Sequence, residues 1–119
     1  MSGRRLVPLR IPAGWTVVAN TFAEIDDPRE LSGDDQRAHL AQDLLQLRAG
    51  ELILDLSWVP EGDPEGRYRL ELVRDNWNET LLRVENPRAD FMRHAIDLCL
   101  SELARDADPA SLQALLDAV

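Results

Sequence analysis

The side chains of this chain that could do chemistry are two histidines, one cysteine and 22 carboxylates. His94 lies between Asp90 and Asp97 at helical spacing, and an Asp–His pair of this kind can form part of a general base. Cys99 is a candidate nucleophile, but no histidine stands beside it in the sequence. The same spacings are typical of a solvated helix face and of a cysteine packed in a core. The sequence therefore predicts no active site.

The sequence also predicts no metal site and no cofactor. One cysteine and two well-separated histidines do not make a zinc pattern. Glu61, Asp63 and Glu65 alternate as calcium ligands sometimes do, but they lack the ligand spacing of an EF-hand loop. Gly62 and Gly66 are not followed by the Lys and Ser/Thr of a phosphate-binding loop. We therefore expect a protein that is not an enzyme.

The overall charge points toward a particular kind of partner. The chain has 119 residues, 13 basic residues that are all arginine, and a net charge of −9. This charge disfavours nucleic acid and anionic membranes, and it favours salt-sensitive association with a basic protein surface. No run approaches the roughly 20 apolar residues needed to span a bilayer. No signal-peptide region follows the N-terminal arginines, and a single cysteine fits a reducing compartment, so we expect a cytoplasmic protein.

The acidic residues are concentrated in two regions. Residues 24–35 carry six carboxylates against one arginine, and the connection 60–66 carries three carboxylates among two prolines and two glycines. Trp77 lies in a polar turn with no apolar register, and exposed tryptophan is enriched at interface hot spots. The residues that we expect to bind a partner are Glu24, Asp26, Asp27, Glu30, Asp34, Asp35, Glu61, Asp63, Glu65 and Trp77.

Alternating apolar residues predict the strands that position these side chains. The runs 51–59 and 67–74 alternate apolar and polar residues on either side of the connection 60–66, which predicts a β-hairpin with an exposed, mobile tip. Trp58 and Tyr68 share the inward register of this hairpin, so we expect both in the core. Further strands are predicted over 15–22, continuing toward Ile25, and over 81–85.

Helical spacing and capping residues predict three helices. Ser32 resembles the start of a capping box, and Leu40, Leu44 and Leu47 recur at helical spacing, which predicts a helix over about 33–48. The alternative is that Leu45 to Arg48 already forms a strand. Two later helices are predicted over 90–104 and from Asp108-Pro109 through Leu116.

This order of elements, β-α-β-β-β-α-α, predicts an α+β fold. We expect an antiparallel sheet of about four strands with helices packed on one face. The length fits a single domain, residues 1–119, in which residues 1–10 could form a flexible arm.

Three parts of the sequence together resemble small acidic immunity proteins of bacterial polymorphic toxin systems, including those of contact-dependent inhibition. They are residues 11–22, the Asp43-Leu44-Leu45-Gln46 run, and the hairpin from Trp58 to Leu72. The resemblance spans residues 11–104 and implies a cytoplasmic protein that binds one cognate toxin domain and blocks it. The resemblance does not identify any individual residue of this sequence as a binding residue.

The leading hypothesis is thus a toxin-neutralising protein that caps a basic, nuclease-type toxin. Carboxylates on the capping surface would take the place of the phosphates that the toxin normally holds. One alternative is an acidic adaptor or structural subunit of a larger cytoplasmic complex, docking through its leucine-rich helices. The other is a small enzyme or ligand-binding domain that uses the stripe of Asp90, His94 and Asp97.

Overall fold

A computed structural model describes residues 5–118 as an α+β fold with a five-stranded antiparallel sheet. The strands follow one another in the sheet in chain order, as a meander. The elements are β1 (Thr16–Asn20), a short 3₁₀ helix (Pro28–Glu30), α1 (Gly33–His39), β2 (Leu45–Ala49), β3 (Leu52–Val59), β4 (Arg67–Arg74), β5 (Glu79–Asn86), α2 (Ala89–Leu103) and α3 (Pro109–Asp117).

One face of the sheet forms the hydrophobic core, because alternate residues of the strands are apolar. Leu54 of β3 pairs with Leu47 of β2 and with Leu72 of β4, and all three side chains are completely buried. Trp58 and Tyr68 are paired across β3 and β4, with ring centroids 4.8 Å apart in an edge-to-face arrangement. Both are buried, which confirms their predicted place in the core.

The last two helices cover the core face and one edge of this sheet. Helix α2 packs its apolar side, including Met92, Ile96 and Cys99, into the core. In α3, the side-chain amide of Gln113 accepts from the backbone N–H of Arg83 and donates to its carbonyl, both at 2.9 Å. Gln113 thus pairs with edge strand β5 much as a neighbouring strand would, which removes part of an exposed edge.

The predicted helix over 33–48 is wrong in its second half. Helix α1 ends at His39, and residues Leu45–Ala49 form β2, so the sheet has five strands rather than four. Leucines spaced at 40, 44 and 47 fit a helix, but Leu45, Leu47 and Ala49 also alternate as in a strand. Pairing of β2 with β3 along its whole length decides between the two patterns.

The first strand is shorter than predicted, and the N-terminal segment packs beside its end. β1 stops at Asn20, whose side-chain oxygen accepts from the backbone N–H of Phe22. The N–H of Val7 donates to the Phe22 carbonyl at 2.9 Å, and the Val7 side chain is buried. Of the predicted N-terminal arm, residues 5–10 thus lie against the fold, and residues 1–4 lie outside the described part.

Candidate functional site

The structure brings the two acidic regions together on one surface. A groove of about 600 Å³ lies between them, with Asp26, Asp27 and Arg29 from the first region and Glu65 from the second, and Arg67 and Arg88 also line it. Within the hairpin connection, the backbone N–H of Gly62 donates to the carbonyl of Leu40, the residue that follows α1, at 2.6 Å. We call residues 24–37 together with residues 60–66 the acidic surface.

The acidic surface holds most of the net charge of the molecule. It contains nine carboxylates and two arginines, a net −7 out of the −9 of the whole chain. Its carboxylates are Glu24, Asp26, Asp27, Glu30, Asp34, Asp35, Glu61, Asp63 and Glu65. Both arginines bind carboxylates of the same surface, Arg29 to Asp27 and Arg37 to Asp34. An external cationic group therefore meets a strong excess of negative charge.

Extended backbone and a capped 3₁₀ turn position the first part of this surface. Ala23 and Ile25 are buried while Glu24 and Asp26 are exposed, because successive side chains of extended backbone point in opposite directions. Asp27 then caps the 3₁₀ helix. Its carboxylate accepts from the side chain and the backbone N–H of Arg29, and these hydrogen bonds lower the pKa of Asp27. Asp27 thus has a structural role besides its charge.

Helix α1 holds the next carboxylates. Its N-cap Ser32 accepts from the backbone N–H of Asp35 at 3.2 Å, as the sequence predicts. Asp34 and Asp35 lie in the first turn, where the positive end of the helix dipole favours negative charge. Leu31 is buried just before the cap and fixes the helix against the core.

Hydrogen bonds join the hairpin connection, for which the sequence predicts an exposed, mobile tip, to the buried Trp58. The indole N–H of Trp58 donates to the backbone carbonyl of Asp63 at 2.6 Å. The Asp63 carboxylate in turn accepts from the backbone N–H of Glu65 at 2.9 Å. The carboxylates of Glu61, Asp63 and Glu65 are exposed, as predicted. These hydrogen bonds connect the backbone that carries the three carboxylates to the core of the protein.

Arg88, just before α2, and Arg93 of α2 border the acidic surface, which sequence reasoning missed. A second cleft, of about 310 Å³, is lined by Glu24 and Asp26 together with Arg88, Asp90 and Arg93. The Arg88 guanidinium binds Asp90 at 2.6 Å and lowers the pKa of that carboxyl. These arginines lie beside the acidic surface because α2 packs next to the N-terminal segment. No local sequence signal could have predicted this position.

Trp77 does not belong to the acidic surface. It lies in the turn that joins β4 to β5, at the opposite end of β4 from the acidic connection. An eight-residue strand spans roughly 25 Å, so the two features are separated by about that length. The Trp77 side chain is 42% exposed, which confirms the predicted exposure.

The candidate catalytic side chains are not assembled into a site. The Asp90 carboxylate is bound to Arg88, and Asp97 accepts from the backbone N–H of Arg10 at 3.2 Å. Among the described residues, no hydrogen bond joins His94 to either carboxylate. Cys99 is completely buried, and burial raises the pKa of its thiol to about 12. Within residues 5–118, no three His, Cys, Asp or Glu side chains form a group that could hold a metal ion.

The face of the sheet away from the core carries charged pairs and one buried carboxyl. Arg67 and Arg69 both bind Glu85, at 2.7 and 2.6 Å. Asp55 is only 3% exposed and accepts from Ser57 and Gln46. Burial raises the pKa of Asp55 to about 6, and the nearby Asp43 carboxylate adds to this rise. Sequence reasoning missed Asp55, because an aspartate between two leucines in a strand is normally solvated.

The chain matches no known protein family, no curated protein and no solved structure. Among the helices of residues 5–118, none has the length and apolar character needed to cross a membrane.

Proposed function

We propose that this protein is a cytoplasmic immunity protein that neutralises a cognate bacterial toxin domain of basic, nuclease type by binding it through the acidic surface. The observation that carries this proposal is the meeting of two acidic segments, distant in sequence, on one surface with a net charge of −7. This proposal develops the hypothesis that the sequence resemblance of residues 11–104 to immunity proteins of toxin systems suggested.

Electrostatics explains how such a surface would block a nuclease. The cleft of a nuclease carries arginine and lysine side chains that hold the phosphates of its substrate. Carboxylates of the acidic surface would pair with those cations, and arginine can pair with a carboxylate through two parallel hydrogen bonds. The capped cleft is then closed to nucleic acid. Long-range attraction between the two surfaces also accelerates their encounter.

The local structure supports tight binding because it fixes the carboxylates before the partner arrives. Asp27 is held by Arg29, the first turn of α1 is capped by Ser32, and the connection 60–66 is held by Trp58. Side chains on an ordered backbone lose less conformational entropy on binding than side chains on a flexible loop.

Growth rescue during co-expression with the toxin tests the proposal. We expect the toxin to be encoded by a neighbouring gene, and the wild-type protein should restore growth of cells that express it. The variant Asp26→Asn/Glu30→Gln/Glu65→Gln should restore growth less well, because it removes three exposed charges from the acidic surface. Asp27 and Asp34 are left unchanged because each binds an arginine of its own surface.

A matched control has the same change in charge at the other end of the sheet. Glu51→Gln/Asp75→Asn/Glu102→Gln neutralises three carboxylates there and should rescue growth as well as the wild type. If no neighbouring gene product is toxic, or none binds the purified protein, the immunity function is excluded. The protein is then better explained as an acidic adaptor or structural subunit.

A further inference from the structure

The polar stripe of α2 lines a cleft that lies outside the acidic surface. The cleft has a volume of about 660 Å³ and separates α2 from the segment that precedes β1. Helix α2 contributes Arg93, His94 and Asp97 to its lining, and the segment before β1 contributes Arg10 and Ile11. Two of the three residues that the sequence singles out as a candidate catalytic stripe therefore lie in a cleft with two arginines.

One hydrogen bond joins the two walls of this cleft. The backbone N–H of Arg10 donates to the Asp97 carboxylate at 3.2 Å. Arg93 precedes Asp97 by four residues and His94 precedes it by three, so these side chains lie on one side of α2 within about one turn, or 5.4 Å. The side chains of Arg10, Arg93 and His94 therefore start from neighbouring positions in the cleft.

Arg10 and Arg93 have no counterion, although acidic residues outnumber basic ones in this chain. Seven other arginines among residues 5–118 each form an ion pair with a carboxylate. Among the same residues, the side chains of Arg10 and Arg93 form no ion pair and no hydrogen bond, although Arg93 also lines the cleft of Glu24 and Asp26. Two guanidinium groups with free N–H donors at one place suit an oxyanion, because each planar fork matches a carboxylate.

The rest of the cleft is mainly apolar. Its lining along α2 reaches from Arg93 to Ala104, a helical rise of roughly 16 Å. The Ser101 hydroxyl in this part already donates to the carbonyl of Leu98 at 3.2 Å. The apolar side chains of the lining are Ile11, Pro12, Leu98, Leu100 and Ala104. The cleft thus combines two cationic groups with an elongated apolar wall.

The charges favour a ligand with a single negative charge. The lining carries two arginines and one aspartate, a local charge of +1, whereas the whole chain carries −9. Repulsion from the whole molecule is twice as strong for a dianion as for a monoanion. A carboxylate keeps the paired hydrogen bonds to arginine and meets the weaker repulsion. Contact of an apolar group with the wall of α2 adds an attraction that does not depend on charge.

We propose that this cleft binds a monocarboxylate with an apolar chain. The carboxylate is held between Arg10 and Arg93, and the chain lies against the apolar side chains of the cleft. His94 supplies a further N–H donor in either protonation state. Because the cleft lies outside the acidic surface, ligand binding and toxin neutralisation are separate properties of the protein.

Titration of the isotope-labelled protein with octanoate, followed by amide NMR, tests this site. Octanoate should bind with a dissociation constant below about 1 mM and should shift the amide signals of residues 10–12 and 93–104 most strongly. Acetate lacks the apolar chain and octylamine has the opposite charge. Each of these two ligands should bind at least about tenfold more weakly than octanoate.

Two double variants locate the binding site. Arg10→Gln/Arg93→Gln should raise the dissociation constant of octanoate at least about tenfold, because it removes both guanidinium groups. Both side chains are exposed, so this variant should unfold at the wild-type temperature. Arg48→Gln/Arg105→Gln is the matched control. It removes the same charge from two exposed arginines outside the cleft and should bind octanoate as the wild type does.

Three outcomes overturn the proposal. The first is a wild-type protein that does not bind octanoate at about 10 mM. The second is equal binding of octanoate by the two double variants, because the ligand must then lie elsewhere. The third is tighter binding of inorganic phosphate than of octanoate, because the site then prefers a dianion. Growth rescue by the wild type is independent of each result, so failure of the ligand site and failure of the immunity function can be told apart.

Discussion

Asp55 is the only acidic side chain that the structure buries among residues 5–118. Burial and the neighbouring Asp43 raise its pKa to about 6 in the folded protein, from an ordinary value of 3.8. The folded state therefore binds this proton more tightly than the unfolded state does. The stabilisation by this proton is complete below about pH 4 and is lost as the pH rises toward about 6.

We expect Asp55→Asn to stabilise the protein at neutral and alkaline pH. Asparagine keeps the shape and an oxygen acceptor for Ser57 and Gln46, and its amide can donate to Asp43 without a buried charge. The free energy of unfolding at pH 8 should rise by about 1 kcal/mol. Urea denaturation between pH 4 and pH 8 measures this change.

The control for this prediction is Ser57→Ala, which removes a hydrogen bond to the carboxylate and should destabilise the protein at pH 8. If Asp55→Asn proves less stable than the wild type at pH 8, the buried carboxylate is stabilising in its charged form.

At the scale of elements, the connection between β3 and β4 depends on close packing at one glycine. A Cβ atom added to Gly66 would lie 2.8 Å from the indole nitrogen of Trp58 and closer still to the carbonyl of Val59. Both neighbours are fixed, since the Trp58 ring is buried and its N–H is bonded to Asp63. The position therefore requires glycine for space rather than for its backbone angles.

We predict that Gly66→Ala lowers the free energy of unfolding by more than about 2 kcal/mol, because backbone and a buried ring must move. By contrast, Glu61→Gln/Glu65→Gln should change it by less than about 1 kcal/mol, because both carboxylates are exposed. Chemical denaturation of the two variants measures how much the packing at Gly66 and the exposed carboxylates each contribute to the free energy of unfolding. Equal stability of Gly66→Ala and the wild type would show that the connection is loosely packed.

The elements that sequence reasoning predicted well are those with a single periodicity. β4 was predicted over 67–74 and occupies Arg67–Arg74, because its alternation of charged and apolar residues is unambiguous. The stretch 40–47 fits both a helical and a strand period, and tertiary pairing with β3 made Leu45–Ala49 a strand. Local propensity could not supply that information, because the deciding partner is another strand.

At the scale of the whole molecule, the sequence predicts that the acidic residues are exposed. It does not predict which residues from distant segments lie beside them. Six carboxylates in residues 24–35 cannot all enter a core, so sequence alone places most of them at the surface. The groove shared with Glu65, the nearby Arg88 and Arg93, and the distance to Trp77 all depend on how distant segments pack. The result is a molecule whose negative charge is concentrated at one end of the sheet.

The rate of association with the toxin domain, measured by stopped-flow at increasing salt, tests the central role of the acidic surface most directly. We expect the wild-type association rate to fall at least about tenfold between about 50 and about 500 mM salt, because screening removes the long-range attraction. Asp26→Asn/Glu30→Gln/Glu65→Gln should associate more slowly at low salt, depend less on salt and dissociate at nearly the wild-type rate. Glu51→Gln/Asp75→Asn/Glu102→Gln should behave as the wild type. Equal salt dependence of the two triple variants would contradict docking through the acidic surface.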